Sequence, residues 1–352
     1  MKKINIAIVG VGFNGQIGHL INFVKINKCK VVAIAEARDK LRKKVGIKYN
    51  IKKLYKSHKD IIKYEKKIQG VVIVTKRNMT GPIAYDFLKS GFSVFTEKPM
   101  ASTYKQAKKL VNMAKKNNVI YKIGYNKTYD YGIQKAKIVL KKIIKTNKLG
   151  KIVLMRSHRL SGSGYIDLKG LISTNEKNYL KKPCWPSTPY WLPKKYSFDY
   201  EKYLNLYSHN INLIRYFTEK KLKIIHSDLS EKKMSTVIFD CGKYNVVLET
   251  GFFTKEGWDE TFEIYFEKGS MKIMIPPQHK RKEAAKFIVN KSGISKSLYK
   301  FVNNKSWSFK NQAKGFIRDI SNKKILLNSG NDAIVDVEII EKIWKKYLKI
   351  NS

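Results

Sequence analysis

Acidic residues are scarce in this chain of 352 residues: 27 Asp and Glu stand against 72 Lys and Arg, a formal net charge of +45 at pH 7. Such an excess suits an anionic partner, whether nucleic acid, a membrane surface or an acidic small molecule. The lysines, however, run through the whole chain, mixed with Ile and Asn, and gather in no single arm or helix. Dispersed lysines usually make a solvated surface, and A+T-rich coding favours the same three residues. No specific nucleic-acid partner is therefore expected, while attraction of acidic ligands, stronger at low salt, is. Cysteine is also rare. Cys29, Cys184 and Cys241 are odd in number, far apart and without a C-x-x-C pair, so they read as reduced thiols and exclude a disulfide framework or a zinc site. The histidines form neither H-x-x-x-H nor H-E-x-x-H, and no metal is expected. No apolar run approaches the roughly 18 residues of a membrane span. Lys2-Lys3 before an apolar run imitates a secretory leader, but glycines interrupt that run. A cytoplasmic location and no membrane partner are the expectation.

What is present begins at the N-terminus. Ile4 to Val9 is a short β-branched run of the kind buried in a parallel sheet. Gly10, Gly12 and Gly15 follow with the spacing G-x-G-x-x-G, and Ile17, Leu20, Ile21 and Val24 then recur on one helical face. The three glycines serve different ends. Gly10 makes the tight turn, Gly12 admits backbone to a pyrophosphate, and Gly15 lets helix and strand pack closely. The helix N-terminus adds N–H groups and positive partial charge. Phe13 and Asn14, inside the turn, join the expected cofactor contacts. A second strand, Val31 to Ala35, ends at Glu36, the position of a carboxylate that grips the adenosine ribose. The expected cofactor is NAD; NADP remains open because Arg38, two residues on, can receive a 2′-phosphate.

The following stretch alternates. A helix is expected at Asp39 to Gly46, strands at Val71 to Thr75, Phe92 to Thr96 and Val119 to Gly124, and helices behind Thr80-Gly81-Pro82 and Thr103 to Gln106. Thr80 is expected as an N-cap with Pro82 in the first turn, and Thr103-x-x-Gln106 as a capping box. Ile133 to Ile144 is also helical in pattern. This rhythm predicts an α/β, doubly wound parallel Rossmann sheet. Beyond residue 150 it changes to strand-like runs at 152–160, 222–229, 235–240, 244–253 and 261–275, with turns at 242–244 and 267–270. An α+β domain on an open, largely antiparallel sheet is expected there. Asn205 to Phe217 reads as its main helix, 183–199 as a loop, and Ala333 to Leu348 as an amphipathic closing helix. The expected boundaries are 1–125 for the dinucleotide domain, 126–330 for the α+β domain and 331–352 for the closing segment.

Four features together resemble the glucose–fructose oxidoreductase and inositol dehydrogenase family (Gfo/Idh/MocA). They are the glycine fingerprint, Glu97-Lys98-Pro99-Met100, Gly124-Tyr125-Asn126-Lys127, and Ser208-His209-Asn210-Ile211 opening a helical run. The segment Asn311 to Leu348 is similar to the family's last helix. The resemblance implies an NAD(P)-dependent oxidoreductase acting on a sugar or polyol, forming homo-dimers or tetramers through the open sheet. It makes Lys98 and His209 the acid/base residues, Thr75 and Glu97 cofactor contacts beside Lys98, and Asn126, Asn205 and His209 substrate contacts. A lysine can serve as base when burial or a nearby positive charge lowers its pKa, and histidine titrates in the useful range unaided. Pro99 makes a cis Lys98–Pro99 bond plausible.

Two positions depart from the family pattern. Asn205 stands where the family usually has Asp, four residues before the histidine. An amide can orient an imidazole but cannot stabilise an imidazolium, so weight shifts from His209 to Lys98. After Thr75 the chain has Lys76-Arg77 in place of Pro-Asn, which either meets an acidic ligand or lies in a solvated loop. Trp185, Tyr190 and Trp191 either stack on a sugar or pin their loop; Tyr190 is included among the substrate contacts. A nucleotide sugar is the favoured substrate, because a basic surface attracts its pyrophosphate. The alternatives are an NAD-dependent glycoside hydrolase or epimerising enzyme that recycles its cofactor, and a catalytically silent NAD/sugar-binding regulator.

Overall fold

The computed structural model describes residues 3–162, 167–177, 185–230, 234–252, 257–293, 297–302 and 306–350; Cys184 lies outside them. The chain divides into two compact units. The first comprises residues 1–125, 168–206 and 312–338. Its strands are β1 (Ile4–Val9), β2 (Cys29–Ala35), β3 (Lys53–Tyr55), β4 (Gly70–Ile73), β5 (Ser93–Thr96) and β6 (Tyr121–Ile123). All are parallel, in the order β3-β2-β1-β4-β5-β6.

Strand alternation explains why the central runs are apolar on both faces. Ala7, Val9, Val71, Ile73 and Val94 face one layer, with Ala84, Phe87, Ala107, Leu110, Ala333 and Val337. Ile6, Ile8, Ile34, Val72 and Phe95 face the other, with Leu20, Phe23, Leu41, Phe316 and Ile317. With both faces covered, the central strands β1, β4 and β5 are apolar apart from Asn5, Ser93 and Thr96. The strand order reverses direction between β1 and β4, which opens a crevice at their carboxyl ends.

Several local expectations change. Thr80 is not an N-cap: the helix runs Arg77–Lys89, and Lys76, at φ −58° and ψ 141°, is the non-helical residue before it. Thr80 sits inside the first turn and its hydroxyl lies 3.3 Å from the Lys76 carbonyl. Thr103 does cap Tyr104–Lys116 by accepting the Gln106 N–H, but the Gln106 side chain accepts from Ser102 N–H, not from Thr103. The first helix begins as a π-helical segment, Gly15–Leu20, before Ile21–Phe23. A short strand, β3, and the helix His58–Tyr64 fill a stretch whose lysines hide its pattern.

The second unit comprises residues 126–167, 207–311 and 339–352. Its strands are β7 (Ile152–Ser161), β8 (Lys223–Asp228), β9 (Ser235–Asp240), β10 (Asn245–Gly251), β11 (Trp258–Phe266), β12 (Gly269–Met274), β13 (Lys286–Lys291) and β14 (Tyr299–Phe301). They form one eight-stranded sheet, β14-β13-β12-β11-β7-β10-β9-β8, in which β7 and β10 are parallel and the other neighbours antiparallel. The expected run 261–275 is thus two strands around the hairpin at 267–270. One sheet face is apolar and buried, carrying Met155, Val246, Leu248, Phe262 and Ile264, with the Phe217 and Phe262 rings stacked 4.6 Å apart. The other carries a ladder of charges: Arg156 pairs with Glu249 at 2.6 Å, and His158 lies 3.1 Å from both Glu249 and Asp259. The helix expected at 205–217 is longer, Ser197–Thr218, and Ser308–Asn322 is a further helix.

Asp130 caps Tyr131–Thr146, its carboxylate accepting from Gly132, Ile133 and Ala285 N–H groups at 2.8, 3.2 and 3.0 Å. Burial outweighs these bonds and pushes its pKa from 3.8 up to about 6. The folded state therefore holds this proton more tightly than the unfolded chain. The associated stability is complete below the unfolded pKa and is lost as pH rises through the folded one. Asp130→Asn should remove that slope. Relative to the variant, the wild type should lose about 3 kcal/mol between roughly pH 3 and pH 7 in denaturant titrations.

Candidate active site

The turn after β1 is built from close approaches. Gly10 has φ +87°, and a Cβ there would lie 2.2 Å from the Val74 carbonyl oxygen; one at Gly15 would lie 2.1 Å from the Gly10 oxygen. Neither position tolerates a side chain. A Cβ at Gly12 would meet only Arg38 Nη2, at 3.3 Å. Gly12 therefore faces a groove with its backbone approachable, as a pyrophosphate requires. Gln16 locks the turn by donating to the Val11 carbonyl at 2.8 Å and the Ile172 carbonyl at 2.9 Å. Phe13 is partly exposed at 37%. The groove continues across the carboxyl ends of β1, β2 and β4, past Glu36, Arg38, Lys56, Lys59 and Thr75. The turn and its groove fit a dinucleotide.

Glu36 is buried and fully engaged. Its Oε1 accepts Arg38 N–H at 3.2 Å and Arg38 Nε–H at 2.9 Å; its Oε2 accepts Val11 N–H at 3.1 Å and Arg38 Nη2–H at 3.1 Å. The carboxylate thus ties the strand end to the glycine turn and holds a guanidinium on the groove wall. Thr75 lines the same groove, its hydroxyl 3.3 Å from that of Thr80.

At the end of β5, Glu97 turns inward to His19, 2.6 Å from Nε2, and its other oxygen accepts Lys98 N–H at 3.2 Å. His19 is 1% exposed, a partner for which the sequence offers no signal beyond a histidine on the first helix. The Lys98–Pro99 peptide is cis. Lys98 Nζ donates to the Asn205 carbonyl at 2.6 Å and lies 3.4 Å from Asn205 Oδ1. Tyr200 donates to the Ser102 carbonyl at 3.1 Å, so residues 200–205 are fastened to the Glu97–Ser102 turn at two points. Gly124 is required nearby, because a Cβ there would come within 3.1 Å of the Thr96 oxygen and 3.3 Å of Glu97 Cα. Trp185 packs against Tyr85 at 5.8 Å, whereas Tyr190 is 98% exposed.

In the second unit His209 is buried, and Asn126 is buried with its amide donating to Ser308 Oγ at 2.8 Å. Lys127 pairs with Glu260, which also accepts from Asn210 at 3.1 Å. Burial lowers the Lys127 pKa to about 8, with Glu260 opposing. Arg159 lies over the rings of Tyr207 and Trp258 at 5.8 and 5.1 Å. Pattern reading singles out neither Glu260 nor Arg159, and Lys127 and Asn210 only as parts of motifs. Burial pushes the Cys29 thiol up to about 12 and Cys241 to about 11, so both are protonated and unreactive at neutral pH. Among the described residues no His/Cys/Asp/Glu group could hold a metal and no helix is long and apolar enough to cross a membrane.

Residues 4–125 match the profile of an oxidoreductase family with an NAD-binding Rossmann fold. The matched profile is that of the Gfo/Idh/MocA family. Among curated proteins similar to the chain are myo-inositol 2-dehydrogenase of Thermotoga maritima, 24% identical over 151 residues and 43% of each chain, and 2,7-anhydro-N-acetylneuraminate hydratase of Mediterraneibacter gnavus. The latter is 22% identical over 160 residues, 45% of this chain and 40% of its own. The chain thus aligns with less than half the length of either relative. The whole chain shares its fold with a 3-ketoreductase from Actinomadura kijaniata solved with NADP and TDP-benzene: TM-score 0.76, 11% identity and 98% of both chains covered. The Gfo/Idh/MocA resemblance read from the glycine and Glu-Lys-Pro motifs therefore holds over residues 4–125, and the two-sheet architecture expected from the strand and helix pattern holds over the chain.

Proposed function

We propose that the protein is an NAD(P)-dependent oxidoreductase that moves hydride between the nicotinamide and a carbinol carbon of a sugar or nucleotide sugar. Lys98 is the leading acid/base, His209 assists and Asn205 orients. The observation that carries this reading is the Lys98 amine, bound to Asn205 at the carboxyl edge of a dinucleotide-type sheet. Glu97, tied to His19 and to the Lys98 N–H, fixes the backbone from which that amine projects. The bound cofactor supplies the hydride acceptor or donor. In the oxidising direction the neutral Lys98 amine takes the carbinol proton as the carbon becomes a carbonyl; in reduction the ammonium returns it. Asn126 and Tyr190 complete the proposed sugar contacts. The net charge of +45 favours an anionic substrate such as a nucleotide sugar, and the charged sheet face of the second unit is the proposed surface for a homo-dimer or tetramer.

A second reading has support from one relative. The Mediterraneibacter gnavus protein is named a hydratase, and hydration is not a net redox change, which suits an oxidation that is later reversed. Incubation with NAD(P) and a panel of sugars and nucleotide sugars separates the readings. NAD(P)H accumulating one for one with oxidised sugar is the expected result. Substrate consumed without net NAD(P)H selects the recycling enzyme. Tight binding of both ligands with neither change selects the silent regulator.

A further inference from the structure

We propose that the groove selects the 2′-phosphate of NADP(H), with Arg38 as the specificity-determining residue. This rests on the reading above that the groove holds a nicotinamide dinucleotide. A carboxylate that grips two ribose hydroxyls must have acceptor capacity to spare. An ionised carboxylate offers about four lone-pair sites, and Glu36 has a donor on each: Arg38 N–H and Nε–H on Oε1, Val11 N–H and Arg38 Nη2–H on Oε2. Its side chain is 5% exposed. The acid that the sequence assigns to the ribose is committed instead to Arg38 and the glycine turn.

What Glu36 holds in place is a phosphate reader. Its side-chain bonds to Glu36 use two of the guanidinium's roughly five N–H groups. Arg38 lines the groove, is 21% exposed, and lies 3.3 Å from where a Gly12 Cβ would be. Lys56, Ser57 and Lys59 stand on the same wall. Two acids stand near that wall and are hydrogen-bonded: Asp60 accepts the Ser57 N–H at 3.1 Å, and Asp86 lies 2.9 Å from His58 Nε2. A phosphate carrying about −1.5 to −2 charge thus meets Arg38, Lys56 and Lys59 on one wall, and a guanidinium binds phosphate by charge-assisted hydrogen bonds.

The test is binding by the full chain, followed by tryptophan fluorescence or calorimetry and independent of turnover. NADPH should bind at least about tenfold more tightly than NADH, and 2′,5′-ADP should displace it about tenfold better than 5′-AMP. Arg38→Ala should erase the difference by weakening NADPH, leaving NADH within about threefold. NADH binding as tightly as NADPH overturns the proposal and leaves the dinucleotide reading standing. Binding of neither dinucleotide by a cooperatively melting wild-type chain overturns both. The wild-type ratio and the fragment competition decide the matter even if Arg38→Ala does not fold.

Discussion

Lys98→Ala should lower kcat by about 10²- to 10⁴-fold, the range of a lost general acid/base. Dinucleotide affinity should stay within about threefold of wild type. The separation of effects follows from geometry. The amine's hydrogen bonds run to Asn205, at 2.6 and 3.4 Å, whereas the glycine turn and the Glu36–Arg38 pair stand on other strands of the sheet. Removing the amine takes away a proton carrier and leaves the groove intact. Lys98→Arg sharpens the result, because a guanidinium keeps the charge but does not give up its proton at any working pH. It should be nearly as slow as the alanine variant. His209→Asn should cost less than either if His209 only assists Lys98. Lys98→Ala with full turnover would remove Lys98 from the mechanism; a parallel loss of dinucleotide binding would mark it as a structural residue. Initial rates and cofactor titrations on the same preparations distinguish these results.

Asp319→Ala should destabilise the chain by about 3–5 kcal/mol, as breaking a buried ion pair on one side does. Lys122 and Asp319 form such a pair, and both side chains are 0% exposed. Burial lowers the Lys122 pKa to about 8 while Asp319 pulls against it. The alanine variant leaves the Lys122 amine buried without its carboxylate partner, beside a sheet layer that holds Phe95, Phe316 and Ile317. The double variant Lys122→Met, Asp319→Leu should recover most of the loss, since apolar side chains of similar size serve a core as well as an ion pair does. Urea titrations of wild type, both single variants and the double variant close the cycle. A loss below about 1 kcal/mol for Asp319→Ala would place the pair among weak surface contacts.

The parts of the fold legible in the sequence are those whose pattern is local. Ile4–Val9 and Cys29–Ala35 read as strands because β-branched runs buried on both faces resemble little else. Lys53–Tyr55 and Tyr299–Phe301 are not legible, being three-residue strands with no buried residue. The helix start at Arg77 is hidden because Thr80 and Pro82 are good cap and first-turn residues, while Lys76, the observed boundary, carries no side-chain cap bond. At the candidate site the glycines and Glu36 announce themselves by spacing. The use to which Glu36 is put depends on which donors reach its oxygens, and spacing does not encode that. Lys98 and Asn205 are 107 positions apart, and each stands out in the sequence for a different reason. His19 does not stand out at all, since its role exists only through Glu97.

The first unit is stitched from segments 1–125, 168–206 and 312–338, which fixes an order of events during synthesis. Lys122 leaves the ribosome 197 residues ahead of its counter-ion. At a translation rate of roughly 5–20 residues per second, the half-made sheet waits about 10–40 seconds with an ammonium destined for its interior still needing water. For that interval the β6 edge has to keep the Lys122 amine in water, because its carboxylate partner has not yet been made.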